Sequence, residues 1–176
     1  MRMMEPAERA QTYAALAEST RRLVGLMDGK AGFLFAVNGA LLTFMWIGAR
    51  LDDVAPAAQW LALGASLGSL LALLAALWVV ITRRSVALPG SGTSDYRPIS
   101  FYGYVATHYA PTEFRRFEHD VAQFDAEDFS RESLAEHFMV SRIVKNKTAW
   151  VTISGALTFS SMALAGIALL VKTVYR

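Results

Sequence analysis

With 176 residues, 54% of them hydrophobic, and a mean hydropathy of +0.32, the chain is more apolar than an ordinary soluble domain. It contains no cysteine, which excludes disulfides, a thiolate nucleophile and thiolate metal sites. Its 17 Lys and Arg against 15 Asp and Glu leave a formal charge of +2, and residues 83–147, with nine basic and nine acidic residues, are too balanced for a nucleic-acid-binding surface.

Residues 1–30 are charged and precede the first apolar run, so a cleavable signal peptide is not expected. Pro6 suits a first helical position, and Tyr13, Leu16, Thr20, Leu23 and Met27 follow at three- and four-residue spacing, as on one face of a helix. Gly25, Gly29 and Gly32 lie where this helix meets the membrane, a place to bend or to admit a close neighbour. Three stretches carry no charge at all: Ala31–Ala49, Val54–Thr82 and Thr148–Val171, of 19, 29 and 24 residues. A helix rises about 1.5 Å per residue, so roughly 20 apolar residues cross a hydrocarbon core about 30 Å thick. Transmembrane helices are therefore expected over 31–49, 54–82 and 148–171, with 172–176 as a short tail. The second span starts near Pro56, and Trp60 and Trp78 are placed as interfacial aromatics.

Residues 83–147 are expected to form a small helical subdomain. Ser85–Ile99, with Pro89, Gly90, Ser91, Gly92, Ser94 and Pro98, reads as a loop. The aromatic Ser100–Tyr109 reads as a short helix. Pro111 is expected to open another, carrying a Phe114, Phe117, Val121, Phe124 stripe and ended by the acidic Asp125–Asp128. From about Ser130 one long helix is expected to run into the third span. The fold class is all-α: three transmembrane helices, an N-terminal juxtamembrane helix, and a cytosolic helical subdomain between spans two and three.

The placement of charge predicts an orientation. Five Lys and Arg precede the first span, Arg50 alone sits between the first and second, nine lie between the second and third, and Lys172 and Arg176 follow. Loops rich in Lys and Arg stay cytoplasmic, which puts the N-terminus and 83–147 inside.

Few residues could carry chemistry. Asn38, the most polar side chain of the first span, needs a hydrogen-bond partner from a neighbouring helix, or else lines a pore. Gly64 and Gly68 form a GxxxG pattern suited either to packing within the chain or to self-association. Asp28 and Lys30 flank Gly29 at the membrane edge, as an interface carboxylate and a snorkelling lysine, or as an ion pair fixing the subdomain. Arg83, Arg84, Arg142, Lys145 and Lys147 form a basic collar for anionic lipid or an anionic small molecule. Charge-free spans argue against an ordinary transporter or channel. With no phosphate loop, nucleophile–base pattern or metal cluster, neither enzymatic activity nor a cofactor is expected.

The run Asp28-Gly29-Lys30-Ala31-Gly32-Phe33-Leu34-Phe35-Ala36-Val37-Asn38-Gly39-Ala40-Leu41-Leu42 resembles the D-x-K-A-x(4)-A-x-N-G-A-L opening of the transmembrane Pycsar effectors. Ile99–Ala106 is similar to that family's aromatic-Gly segment, with Tyr102 where a second Phe is expected. Ser141–Lys147 looks like its S-x-I-x-x-K stretch before the last span. The resemblance implies antiphage defence at the bacterial inner membrane. A partner pyrimidine nucleotide cyclase makes a cyclic pyrimidine mononucleotide (cCMP or cUMP), and the effector then impairs the membrane, causing growth arrest or death. On that footing the nucleotide is expected to meet Arg97, Tyr102, Tyr104, Arg115, Arg116 and Arg142, since aromatic rings stack bases and Arg pairs phosphate. The Gly64/Gly68 and Asn38 faces would then serve a homo-oligomer in the lipid bilayer. Alternatives are a membrane effector gated by another cyclic nucleotide or oligonucleotide, and a small membrane scaffold that binds a protein partner through the Tyr13–Met27 face.

Overall fold

The computed structural model describes residues 5–51, 55–81, 105–106 and 108–175. Within them lie four helices of nine residues or more: α1 (Pro6–Thr43), α2 (Pro56–Ile81), α3 (Phe114–Ala122) and α4 (Ala126–Val174). A π turn over Phe44–Gly48 extends α1. The fold is all-α, as expected, with no strand among the described residues, and three of its helices are long and apolar enough to cross a membrane. At about 1.5 Å per residue, the 49 residues of α4 span about 74 Å, far more than a bilayer core.

The chain divides into two compact units, and α1 and α4 contribute residues to both. One, here the spanning unit, comprises Leu23–Arg84 and Ile143–Arg176. Its helices are sorted by size: large apolar side chains point out and small ones point in. Phe33, Ile47, Trp60, Leu67, Phe159 and Leu170 are exposed, as lipid contact requires. The inner face of α2 is Ala58, Ala62, Ala65, Ser69, Ala72, Ala76 and Val79, at alternating four- and three-residue steps, all buried. Small residues let helix backbones approach closely, the main source of helix association where no water is displaced. Steps of 3.5 residues keep one seam facing its neighbours along the whole span.

The other, the polar unit, comprises Met1–Arg22 and Ser85–Arg142. Here Ala17 and Thr20 of α1 are buried with Ser130, Glu132, Ser133 and Met139 of α4. Thr20 Oγ1 and His137 Nδ1 are hydrogen-bonded at 2.7 Å, and Arg21 forks onto Glu136 at 2.5 and 2.7 Å.

Several local expectations are corrected. On the Tyr13–Met27 face of α1, Thr20 is buried, Tyr13 and Met27 are half-buried, and Leu16 and Leu23 are exposed. Pro111 lies in a turn and α3 starts at Phe114. The acidic Asp125–Asp128 begins α4 rather than ending α3. Asp125 Oδ1 accepts the amides of Glu127 and Asp128, both at 2.8 Å, a side-chain N-cap, and the acidic first turn suits the positive end of the helix dipole. The α1 helix is continuous through Gly25, Gly29 and Gly32, and a Cβ at any of the three would meet nothing within 4 Å, so no close neighbour requires a glycine there.

Candidate functional site

The buried polar residues of the spanning unit lie in a stack of layers along one face of α4. From Lys147 the steps are Val151, Ser154, Thr158, Ser161, Ala165, Ala168 and Lys172, each three or four residues on. All are buried except Val151 and Lys172, which are half-buried.

At one end Lys147, only 2% exposed, donates from Nζ to Asp28 Oδ1 and, at 2.8 Å, to Val79 O. Val79 lies in the last turn of α2, where carbonyls lack helical donors, so this lysine both pairs a carboxylate and caps a helix. Lys30, by contrast, is exposed. Next comes an apolar layer of Ala31, Ala76, Val79 and Val151.

The third layer is polar. Asn38 Nδ2 donates to Leu34 O at 2.8 Å and to Thr158 Oγ1 at 2.7 Å. Thr158 Oγ1 in turn donates to Ser154 O at 2.8 Å, and Ser154 Oγ donates to Ala72 O at 2.9 Å. One chain of hydrogen bonds thus ties all three spans together. Each interhelical bond in a membrane contributes about 1 kcal/mol. Two atoms of this layer are sealed from solvent without a hydrogen-bond partner among the described residues: Asn38 Oδ1 and Ser69 Oγ. Such orphans cost about 1–3 kcal/mol each, so the layer is held together against a standing penalty.

A second apolar layer follows, built from Met45, Leu51, Ala62, Ala65, Ala165 and Ala168. Beside it Trp46 Nε1 donates to Ser66 Oγ at 2.9 Å. Arg50, in the left-handed region at φ 46°, ends the π turn, and Leu51 N–H returns to Met45 O at 3.2 Å. Lys172 Nζ donates to Ala49 O and so caps the orphan carbonyls of this end. The two lysines of α4 therefore cap two different spans, 25 residues or about 37 Å apart, close to the thickness of a bilayer with its interfaces.

Gly68 and Gly64 belong to the same packing. A Cβ on Gly68 would run into Ser161 Oγ, and one on Gly64 would lie 3.8 Å from Leu164 Cδ1. Their neighbours are within this chain.

Of the expected nucleotide contacts, Arg115, Arg116 and Arg142 lie among the described residues. Arg97, Tyr102 and Tyr104, with Arg83 and Arg84, lie outside the described residues. Arg115 is exposed; Arg116 engages Glu113 at 3.0 Å and stands 5.7 Å from the Tyr109 ring centre; Arg142 lies 5.5 Å from that of Phe138. Tyr109 is fixed by an edge contact with Phe117 and by donation to Asp120 Oδ2 at 2.8 Å. The Glu113 carboxyl is held below its ordinary value, first by the Ala110 amide at 2.8 Å and then by Arg116, whose own value is raised by the pairing. The polar unit also holds an open groove of about 1010 Å³. Phe117, Val121, Phe124 and Phe129 line it with Glu5, Glu8, Asp125 and Glu132, and no Lys or Arg among the described residues.

Sequence reasoning missed Lys147 as a buried partner and the polar line on α4. The signal was present in the seven-residue steps Lys147–Ser154–Ser161–Ala168.

Fold and site together define an all-helical membrane protein whose three spans enclose a small, partly polar interior. Residues 12–172 match the Pycsar effector protein domain, and the chain belongs to that family of antiphage membrane effectors. Comparison with curated proteins and with solved structures gives no match.

Proposed function

We propose that this effector lies in the bacterial inner membrane with the polar unit in the cytoplasm. There it answers a cyclic pyrimidine mononucleotide, made by a partner cyclase during infection, by permeabilising the bilayer. It does so as a membrane device and not as an enzyme. Family membership supports the messenger and the partner. The observation that carries membrane action is the interior of the spanning unit: a polar layer with two unsatisfied atoms, between two apolar layers. A protein whose spans served only as an anchor gains nothing from that penalty.

A ligand shifts a conformational equilibrium only by binding its two states differently. The purified protein in liposomes, challenged with cCMP, cUMP, cAMP, cGMP and a cyclic oligonucleotide, is expected to release entrapped dye with a cyclic pyrimidine mononucleotide alone. Release with the oligonucleotide alone would transfer the reading to that class of messenger. Release with none of them contradicts nucleotide gating.

A further inference from the structure

We infer that the buried seam of the spanning unit is the path along which water and small ions cross the bilayer when this effector acts. The inference rests on the reading of the protein as a permeabilising effector and deepens it.

A path through lipid needs a polar surface continuous along the membrane normal. On the inner face of α4 the polar groups Lys147, Ser154, Thr158 and Ser161, joined by Asn38 of α1 and Ser69 of α2, mark out such a line, interrupted at Val151 and beyond Ser161 by the two apolar layers. Asn38 Oδ1, an acceptor, and Ser69 Oγ, a donor and acceptor, have no partner in this packing, and water would satisfy both. Hydration of the seam therefore relieves a cost, where hydration of an apolar interior would impose one. The small side chains leave backbone within reach of water once the helices part. Two apolar layers, Ala31–Ala76–Val79–Val151 and Met45–Leu51–Ala62–Ala65–Ala165–Ala168, close the seam on either side. Apolar constrictions of this kind gate by excluding water. The lipid-facing surface is a poorer path: between the exposed Thr148 and Thr173 near the ends of the third span, its exposed hydroxyls on α4, Thr152 and Ser160, stand beside the exposed Ile153 and Phe159.

The test has one arm that needs no messenger. In the first, Val79→Thr, Val151→Thr, Ala65→Ser and Ala168→Ser are combined to make both apolar layers polar at nearly constant volume. Liposomes carrying this variant are expected to lose potassium at least tenfold faster than those carrying the parent, with no nucleotide present. Leu67→Thr with Leu70→Thr, on the exposed face of α2, is expected to leave the leak at the parent level. A combined variant that is inserted and helical but as tight as the parent overturns the seam. The second arm uses the absence of cysteine. During nucleotide-triggered release, Ser154→Cys and Thr158→Cys are expected to react with a membrane-impermeant thiol reagent faster than Thr152→Cys and Ser160→Cys. The reverse order overturns the seam in favour of a path on the outer face. If the combined variant leaks while no nucleotide triggers the parent, the messenger reading fails and the seam stands.

Discussion

In the spanning unit an ion pair is set inside the packing, with Lys147 at 2% and Asp28 at 33% exposure, whereas Arg131–Glu127 in the polar unit leaves both partners 68% exposed. The same chemistry has different weight in the two places. A pair open to water gains little over hydration, while a buried lysine that loses its carboxylate has nothing to replace it. The units differ in their apolar groups as well. The spanning unit packs Ala, Ser and Thr along its whole inner seam; the polar unit lines an open acidic groove with Phe117, Phe124 and Phe129, the last of them exposed. Solvent decides both arrangements: lipid rewards nothing for hiding a leucine, so close backbone approach and hydrogen bonds are what remain to hold spans together.

The comparison is broken most directly at Lys147. Lys147→Met strands the Asp28 carboxylate and removes the donor to Val79 O, and is expected to cost about 3–5 kcal/mol in thermal unfolding in detergent. Arg131→Ala should be hard to distinguish from the parent. Asp28→Leu added to Lys147→Met should recover most of the loss, because an apolar pair replaces the charged one. Equal effects of the two single substitutions would erase the distinction between the units.

Gly68→Leu should cost about 1–3 kcal/mol by forcing Ser161 aside, while Gly64→Leu, exposed and facing only Leu164, should be tolerated. Both substitutions tolerated in stability but lost in self-association would return this pattern to a contact between copies. In the polar unit, Asp125→Ala removes the cap of α4 and is expected to cost about 0.5–2 kcal/mol, seen as faster hydrogen exchange at Glu127 and Asp128. The smallest effect concerns Glu113. Its folded value is depressed, so its contribution is full above the ordinary carboxylate range and fades as pH falls through the folded value. An NMR titration should show the Ala110 amide losing its hydrogen bond in that acid window, with little change in global stability because the pair with Arg116 is open to solvent.

The three spans were legible because charge-free length is a property of the sequence itself, set by bilayer thickness. The need of Asn38 for a partner was legible too; that the partner is Thr158, 120 residues away, was not. Asp28 was recognised at the membrane edge, but its nearest cation in sequence, Lys30, is exposed, and the pairing is with Lys147. Distance along the chain hides such contacts, although the seven-residue recurrence on α4 marks the face on which to look. The acidic run at Asp125 was misread because a carboxylate ends one helix and caps the next with equal ease, and only the amides of Glu127 and Asp128 decide which. Of the basic residues expected to meet a nucleotide, Arg116 stands over the Tyr109 ring and Arg142 over the Phe138 ring, local contacts that charge and aromatic content alone do not specify.

Everything proposed for the interior depends on α2 and α4 meeting along the small-residue seam of one chain. A cysteine-free background allows that to be measured with a single engineered pair. A Cβ built on Gly68 lies 3.7 Å from Ser161 Cβ, within the range a disulfide requires. Gly68→Cys with Ser161→Cys, oxidised in membranes, is expected to give a crosslinked monomer. Crosslinked dimers with no monomeric product would place this seam between chains and contradict the account.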